Sequence, residues 1–377
     1  MASALGSITR ALPSPPIQYA IIAGIITKAT QIAICSFFRH SPRWVSLIAR
    51  IDHFPGGQVL LNYGPSVLVA LFTGIVLHKP SVYKPLHKQV DQDIKSETTQ
   101  RRLPSIHVYE ETHCKQYICL NFPKQNTPDP AIFCDAFGYA ESNQTQIVGI
   151  AAGFDGEEKS QRTARALVDG FMEYIVPHLA NKKSSLVKLA AQYAQKKIEE
   201  SPQESDPKKH YGRAAFLGGL IETTFSNRRY FKGIHCGNCN LYRLRKGQFQ
   251  DLTWNFKIDG QLGLNRTGSD PNEFTYEVEP GDQLFFMTAA VHDNLDIHPP
   301  EIENPNELMS QNDRNQRKLA TLQDLSKVDH PGKEIMDFVL QHTKKRLTAL
   351  EKGENIASSK DFPGKLGPMT LLVVEVP

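Results

Sequence analysis

Acidic side chains are almost missing from residues 1–90 of this 377-residue chain. Asp52 is set against eight bases there (Arg10, Lys28, Arg39, Arg43, Arg50, Lys79, Lys84 and Lys88). The segment therefore carries a formal +7, which leaves −4 for the rest of a chain whose total is +3. Those bases are dispersed through apolar sequence and are not clustered with stacking aromatics, which excludes the basic-patch pattern of a nucleic-acid binder. Cysteine is also scarce. Cys35, Cys114, Cys119, Cys134, Cys236 and Cys239 are too few and too irregularly spaced for a disulfide-stapled secreted scaffold. They read as reduced thiols in a body that faces cytosol. The chain has no internal repeat, no low-complexity tract, no secretory cleavage pattern, no dinucleotide glycine motif and no nucleophile elbow. What remains is 40% hydrophobic and 22% charged, the composition of a folded chain. Its length suits one large domain with an appendage, or two ordinary domains.

Residues 1–90 hold two apolar stretches, "PPIQYAIIAGIITKATQIAICSFF" (15–38) and "GQVLLNYGPSVLVALFTGIVLH" (57–78). A bilayer core needs roughly 20 mostly apolar residues per helix. The second stretch meets that, within an uncharged run from His53 to His78, and the first is interrupted by Lys28. Bases flank both sides, so the positive-inside rule gives no orientation. Three readings fit: a membrane-embedded helical hairpin, a targeting presequence for a mitochondrion or another organelle, and a pair of helices packed on the body. The hairpin is the expectation carried forward, with residues 15–38 and 57–78 in the membrane and the body facing cytosol. The paired hydrophobic lobes are similar in layout to those of chlamydial inclusion membrane proteins.

Residues 91–104 belong to a Pro- and charge-rich stretch and read as a linker. After it, "IHVYEE", "QYICLNF" and "TQIVGIAAGF" carry the β-branched and aromatic residues of strands. "SQRTARALVDGFMEYIVPHLA" and "SSLVKLAAQYAQKKIEES" carry apolar residues at helical spacing. Two hairpin-like stretches follow, "AAFLGGLIETTFSNRRYFKGIHCGNCNLYRLRKGQFQDLT" and "FTYEVEPGDQLFFMTAA". A late helix, "GKEIMDFVLQHTKKRLTALEKG", precedes a closing strand, "MTLLVVEV". This order predicts an α+β fold in which sheets are layered against helices.

Five segments in this order resemble the metal-dependent protein phosphatase 2C family, over most of residues 105–377. "DAFGYAE" (135–141) resembles an early strand of the family. "AAGFDGEEKSQRTARAL" (151–167) resembles its alanine-aspartate-glycine turn and the following helix, with Ser160, Ala164 and Arg165 in register. "CGNCNLYRLRKGQFQDLT" (236–253) resembles its glycine-aspartate-serine hairpin. "EPGDQLFFMTAAVHDNLD" (279–296) resembles the strand leading to threonine-aspartate-glycine, and "GKLGPMTLLVVEV" (364–376) resembles the closing strand. The resemblance implies a β-sandwich of two antiparallel sheets flanked by helices, preceded here by the hydrophobic hairpin.

In that family, aspartates from three of these turns hold two Mg²⁺ or Mn²⁺ ions that activate a water. Hard cations require oxygen ligands, and the ions lower the pKa of the bound water to about 7. The matching residues here are Ala152, Ala289 and Gly367, and Asn238 replaces the hairpin aspartate. Asp135 and the backbone carbonyl of Gly153 remain, and Asp155 stands three residues past Ala152 as a possible substitute. The expectation is a phosphatase-like protein without catalytic residues, metal or other cofactor. It would bind a protein partner, such as a phosphoprotein, at a membrane. The alternative is a divergent Mg²⁺- or Mn²⁺-dependent serine/threonine phosphatase that uses Asp135 and Asp155.

Three other clusters admit more than one reading. "CGNC" (236–239) has the spacing of a zinc or redox pair, although zinc needs four ligands; packing is the alternative. His292 and Asp293 suggest acid–base work or the start of a helix. "SNRRYFKG" (226–233) reads as a solvated hairpin or an anion patch.

Overall fold

The computed structural model describes residues 105–120, 132–142, 145–154, 157–179, 185–200, 211–224, 226–256, 262–263, 271–296, 311–352, 354 and 366–377. The apolar stretches 15–38 and 57–78, the linker 91–104 and Asp155 lie outside these residues. Among the described residues, no helix is long and apolar enough to cross a membrane.

Twelve strands are described, in two sheets. They are β1 (Ser105–Glu111), β2 (Cys114–Leu120), β3 (Asp135–Ser142), β4 (Thr145–Gly153), β5 (Arg213–Thr223) and β6 (Arg229–Cys236), then β7 (Asn240–Arg245), β8 (Gln248–Asp251), β9 (Leu262–Gly263), β10 (Asn272–Val278), β11 (Gln283–Met287) and β12 (Met369–Glu375). The first sheet runs β1-β2-β12-β11-β7-β8. The second runs β10-β6-β5-β4-β3, and β9 pairs with β5. Every strand pair is antiparallel. Five helices are described: α1 (Glu158–His178), α2 (Leu186–Glu199), α3 (Ala289–Asp293), α4 (Gln311–Leu325) and α5 (Pro331–Glu351). The expected two antiparallel sheets with flanking helices are therefore present.

The order of layers follows from side-chain alternation. On β4, Val148, Ile150 and Ala152 enter the core between the sheets, while Ile147 and Ala151 pack against α1 and α2. On β11, Leu284 and Phe286 enter the central core, while Phe285 and Met287 face the helices on the other side. Both faces of these strands are covered, so they read as near-continuous apolar runs without a polar stripe. Each fully buried Phe, Leu or Ile of this kind stabilises the fold by about 1.5–3 kcal/mol.

Helix α1 supplies Ala164, Leu167, Val168, Phe171, Met172 and Ile175 to the layer on the second sheet. That spacing is one face of an amphipathic helix. Gly170 lets α2 cross close by: a Cβ there would sit 2.9 Å from the α-carbon of Ala194. On the first sheet, Leu322 of α4 and Ile335, Met336 and Val339 of α5 pack over Tyr242, Phe285 and Leu371.

The hairpin-like stretches need correction. The first contains two hairpins in different sheets, β5–β6 and β7–β8, with "CGNC" crossing between them. The second is not a hairpin. β10 pairs with β6 at the edge of the second sheet, whereas β11 lies between β7 and β12 in the first. The Pro280–Gly281 turn carries the chain from one sheet to the other, which is how a sandwich changes layer.

Candidate functional site

Turns at the ends of strands from both sheets meet at one end of the sandwich. Asp135 opens β3 opposite Ala152 of β4, and the N–H of Gly153 donates to the carbonyl of Cys134 at 3.0 Å. From the other sheet, β11 ends at Thr288 beside Thr370 of β12. The Thr288 N–H donates to the Thr370 carbonyl at 3.1 Å. The Thr370 N–H donates to the Thr288 hydroxyl at 3.1 Å. Ala289 follows as the first residue of α3.

The carboxyl of Asp135 lies where the sheets meet. It is 3% exposed, and the Thr370 hydroxyl donates to its Oδ2 at 2.9 Å. Burial pushes this carboxyl up to about 7, against the opposing pull of the Thr370 and Thr288 hydroxyls. The 236–239 turn reaches the same place. Cys239 lies close to Asp135 and is held by the backbone of Ala152, and burial pushes its thiol well up. Asn238 is partly buried in that turn, and its Oδ1 has no hydrogen-bond partner.

The sequence-selected positions Asp135, Ala152, Gly153, the 236–239 turn and Ala289 thus converge. Gly367 stands three residues before Thr370, at the entry to β12. Asp155 is outside the described residues. Thr288 and Thr370 escaped sequence reasoning. Their available signal was a hydroxyl at the ends of otherwise apolar strands, in "FFMT" and "MTLL".

The donors in this hollow do not fit a pair of divalent cations. Ala152, Ala289 and Gly367 carry no side-chain oxygen, and a hydroxyl already engages Oδ2 of Asp135. Among the described residues, no three His, Cys, Asp or Glu side chains group as metal ligands.

The other clusters resolve into packing and ion pairs. Cys236 packs in the layer under α1 and α2, and Cys239 packs in the core between the sheets. The two thiols therefore point to opposite faces of the sandwich wall. His235 donates from Nε2 to the Cys239 carbonyl at 2.8 Å, which braces the turn. On the "SNRRYFKG" hairpin, Lys232 pairs with Glu222, and Arg228 lies 3.9 Å from Glu277. These contacts fit the solvated-hairpin reading. Asp293 closes α3 and does not start it. His292 is buried at 7% exposure, and its Nε2 lies 3.0 Å from the Tyr242 hydroxyl.

No family model matches the chain, and no curated protein matches it. Several solved structures are similar, phosphatases among them. RsbX in complex with magnesium is 15% identical, covering 72% of this chain and 99% of its own, at a TM-score of 0.40. The photosystem II phosphatase PBCP is 16% identical, covering 64% of this chain and 91% of its own, at 0.43. The Mycobacterium tuberculosis serine/threonine phosphatase PstP/Ppp is 11% identical, covering 73% and 99%, at 0.38. At TM-scores this low, the chemistry of the hollow has to be read from the residues of this chain.

Proposed function

We propose that this chain is a degenerate member of the phosphatase 2C-like proteins that works by binding and not by hydrolysis. Its partner would be a protein, with phosphoproteins the first class to test. Residues 15–38 and 57–78 would hold it at a membrane, with the body facing cytosol. One observation carries the reading. The turns that would have to supply metal carboxylates converge, and they present Ala152, Ala289 and a carboxyl clasped by threonine. Loss at three separate turns (Ala152, Ala289 and Gly367) is incompatible with a mechanism that needs two ions to activate water.

The test is turnover of an aryl phosphate by the full-length chain with millimolar Mn²⁺ or Mg²⁺, alongside its thermal stability in the same buffers. A binding module gives no metal-dependent turnover and no metal-dependent rise in melting temperature. Mn²⁺-dependent turnover that disappears in Asp155→Ala would overturn the reading in favour of a divergent phosphatase. Pull-downs from phosphorylated and dephosphorylated lysate then separate a phospho-dependent module from a phosphate-blind one.

A further inference from the structure

On the outer face of the first sheet, one helical turn along α3 from Ala289, a chain of buried polar groups ties three elements together. Tyr242 of β7 is fully buried and stands opposite Asp251 of β8 in the strand register. An ammonium can only donate, so the contact of His292 Nδ1 with Lys318 leaves the ring proton on Nε2, which donates to the Tyr242 hydroxyl at 3.0 Å. The Nδ1 of His292 is then the acceptor, and it faces the ammonium of Lys318 on α4 at 3.2 Å. Lys318 is only 6% exposed. The carboxylate of Asp293 lies 3.5 Å from the Lys318 nitrogen and 3.6 Å from His292 Nδ1.

Further charges surround this group. Asp296 pairs with Arg317 at 3.4 Å and acts on Lys318, as does Arg314. Asp296 also acts on His342 of α5, one helical turn before Arg346. Helix α4 depends on polar contacts because it is mostly polar: Leu319, Leu322 and Leu325 are its apolar contribution to the layer. Its far end is held separately, where the Phe249 N–H donates to Gln323 Oε1 at 3.0 Å.

We propose that His292 and Lys318 form an acid-sensitive latch that fastens α4 to the first sheet and opens when His292 takes up a second proton. A protonated His292 has no lone pair for Lys318 and sets two cations together in a buried site, with Asp293 and then Asp251 opposing. Burial, and then Lys318, already disfavour that proton in the closed form. The sign follows. The closed form holds His292 neutral below the ordinary value of 6.5, so acidification through that value favours the open form.

The test is hydrogen exchange by mass spectrometry on the full-length chain at pH 7.5 and 5.5, corrected for intrinsic exchange. Peptides from 311–325 are compared with peptides from α1. The latch predicts that protection in 311–325 falls by up to about tenfold at pH 5.5, because that pH lies one unit below the ordinary imidazole value the open form regains, while α1 holds. His292→Gln keeps a donor and an acceptor but does not titrate, so it abolishes the fall. Lys318→Met removes one of the two cations and leaves the burial of His292, so it reduces the fall, which decides the matter if the glutamine variant does not fold. The proposal is overturned by a constant protection factor in the wild type. It is equally overturned by an undiminished fall in either variant, or by a fall that disappears only in His342→Gln.

Discussion

Thr370 on β12 donates a 2.9 Å hydrogen bond to Asp135 on β3, between residues 235 positions apart in the chain and in opposite sheets. Together with Thr288, this contact closes the end of the sandwich where the strand-end turns of the two sheets meet. It gives the buried Asp135 carboxyl a structural partner. A buried carboxyl without one would cost several kcal/mol, so the hydroxyls account for its presence in an otherwise apolar layer.

Thr370→Val should lower stability by about 1–3 kcal/mol, because it removes a hydroxyl from a buried carboxyl without removing the carboxyl. Asp135→Asn tests the same clasp through pH. The folded state holds the Asp135 proton up to about 7, whereas the unfolded chain releases it near 3.8. Stability from this group is therefore fully present below 3.8 and lost as pH rises through 7, a change of about 4 kcal/mol. Asparagine does not titrate. Its melting temperature should match the wild type near pH 4 and exceed it at pH 8, and equal curves at both pH values would exclude a buried, proton-holding Asp135.

His235 predicts the opposite slope. It is buried, its Nδ1 has no hydrogen-bond partner, and burial pushes its folded value down to about 4 against the weaker opposing bond to Cys239. Stability from this imidazole is present above 6.5 and lost as pH falls towards 4, by about 3 kcal/mol. Denaturant melts of His235→Gln should lack that loss. Because Asp135 and His235 pull in opposite directions, the wild-type profile between pH 4 and 7 should be flatter than that of either variant.

The strands were legible in the sequence wherever both faces are buried. "TQIVGIAAG" and "LLVV" admit few other fates, and α1 announces itself by its 3.6-residue period. Pairing was less legible. The Pro280–Gly281 turn marks a change of direction, but the partner of each flanking strand is set by distant residues, so an apparent hairpin hides a change of sheet. Helix α4 was not predicted. "QNDRNQRKLATLQDL" has too few apolar residues to show a stripe, and its attachment runs through Lys318 and Gln323. For the hollow, the sequence supplied the converging turns and the missing carboxylates. It could not show that Thr288 and Thr370 would reach Asp135, because nothing local marks a hydroxyl as facing another sheet.

Cys236 and Cys239 should behave as two independent packing residues. They sit in different layers and form no disulfide. Cys236→Ala and Cys239→Ala should each cost stability, and the double variant should cost their sum within about 0.5 kcal/mol. A zinc or disulfide pair would instead make the second substitution nearly free, since the first would already have destroyed the shared bond. Urea melts of the four proteins, with and without a chelator, decide between the two.

Adding carboxylates to the hollow should create ion binding. Ala152 and Ala289 are each 8% exposed at the converging turns, and a Cβ added at Gly367 meets no described atom within 4 Å, although the φ of 158° there strains any side chain. The triple variant Ala152→Asp, Ala289→Asp, Gly367→Asp places three carboxylates beside Asp135. Without metal it should be less stable than the wild type, because four acids then crowd one site and repel. With Mn²⁺ at about a hundred times its dissociation constant it should regain about 2.7 kcal/mol, read as a rise in melting temperature. The wild type should show no such rise over the same titration. Equal responses in the two proteins would mean that the ion binds elsewhere, and that missing carboxylates at these three turns do not decide whether this chain holds a metal.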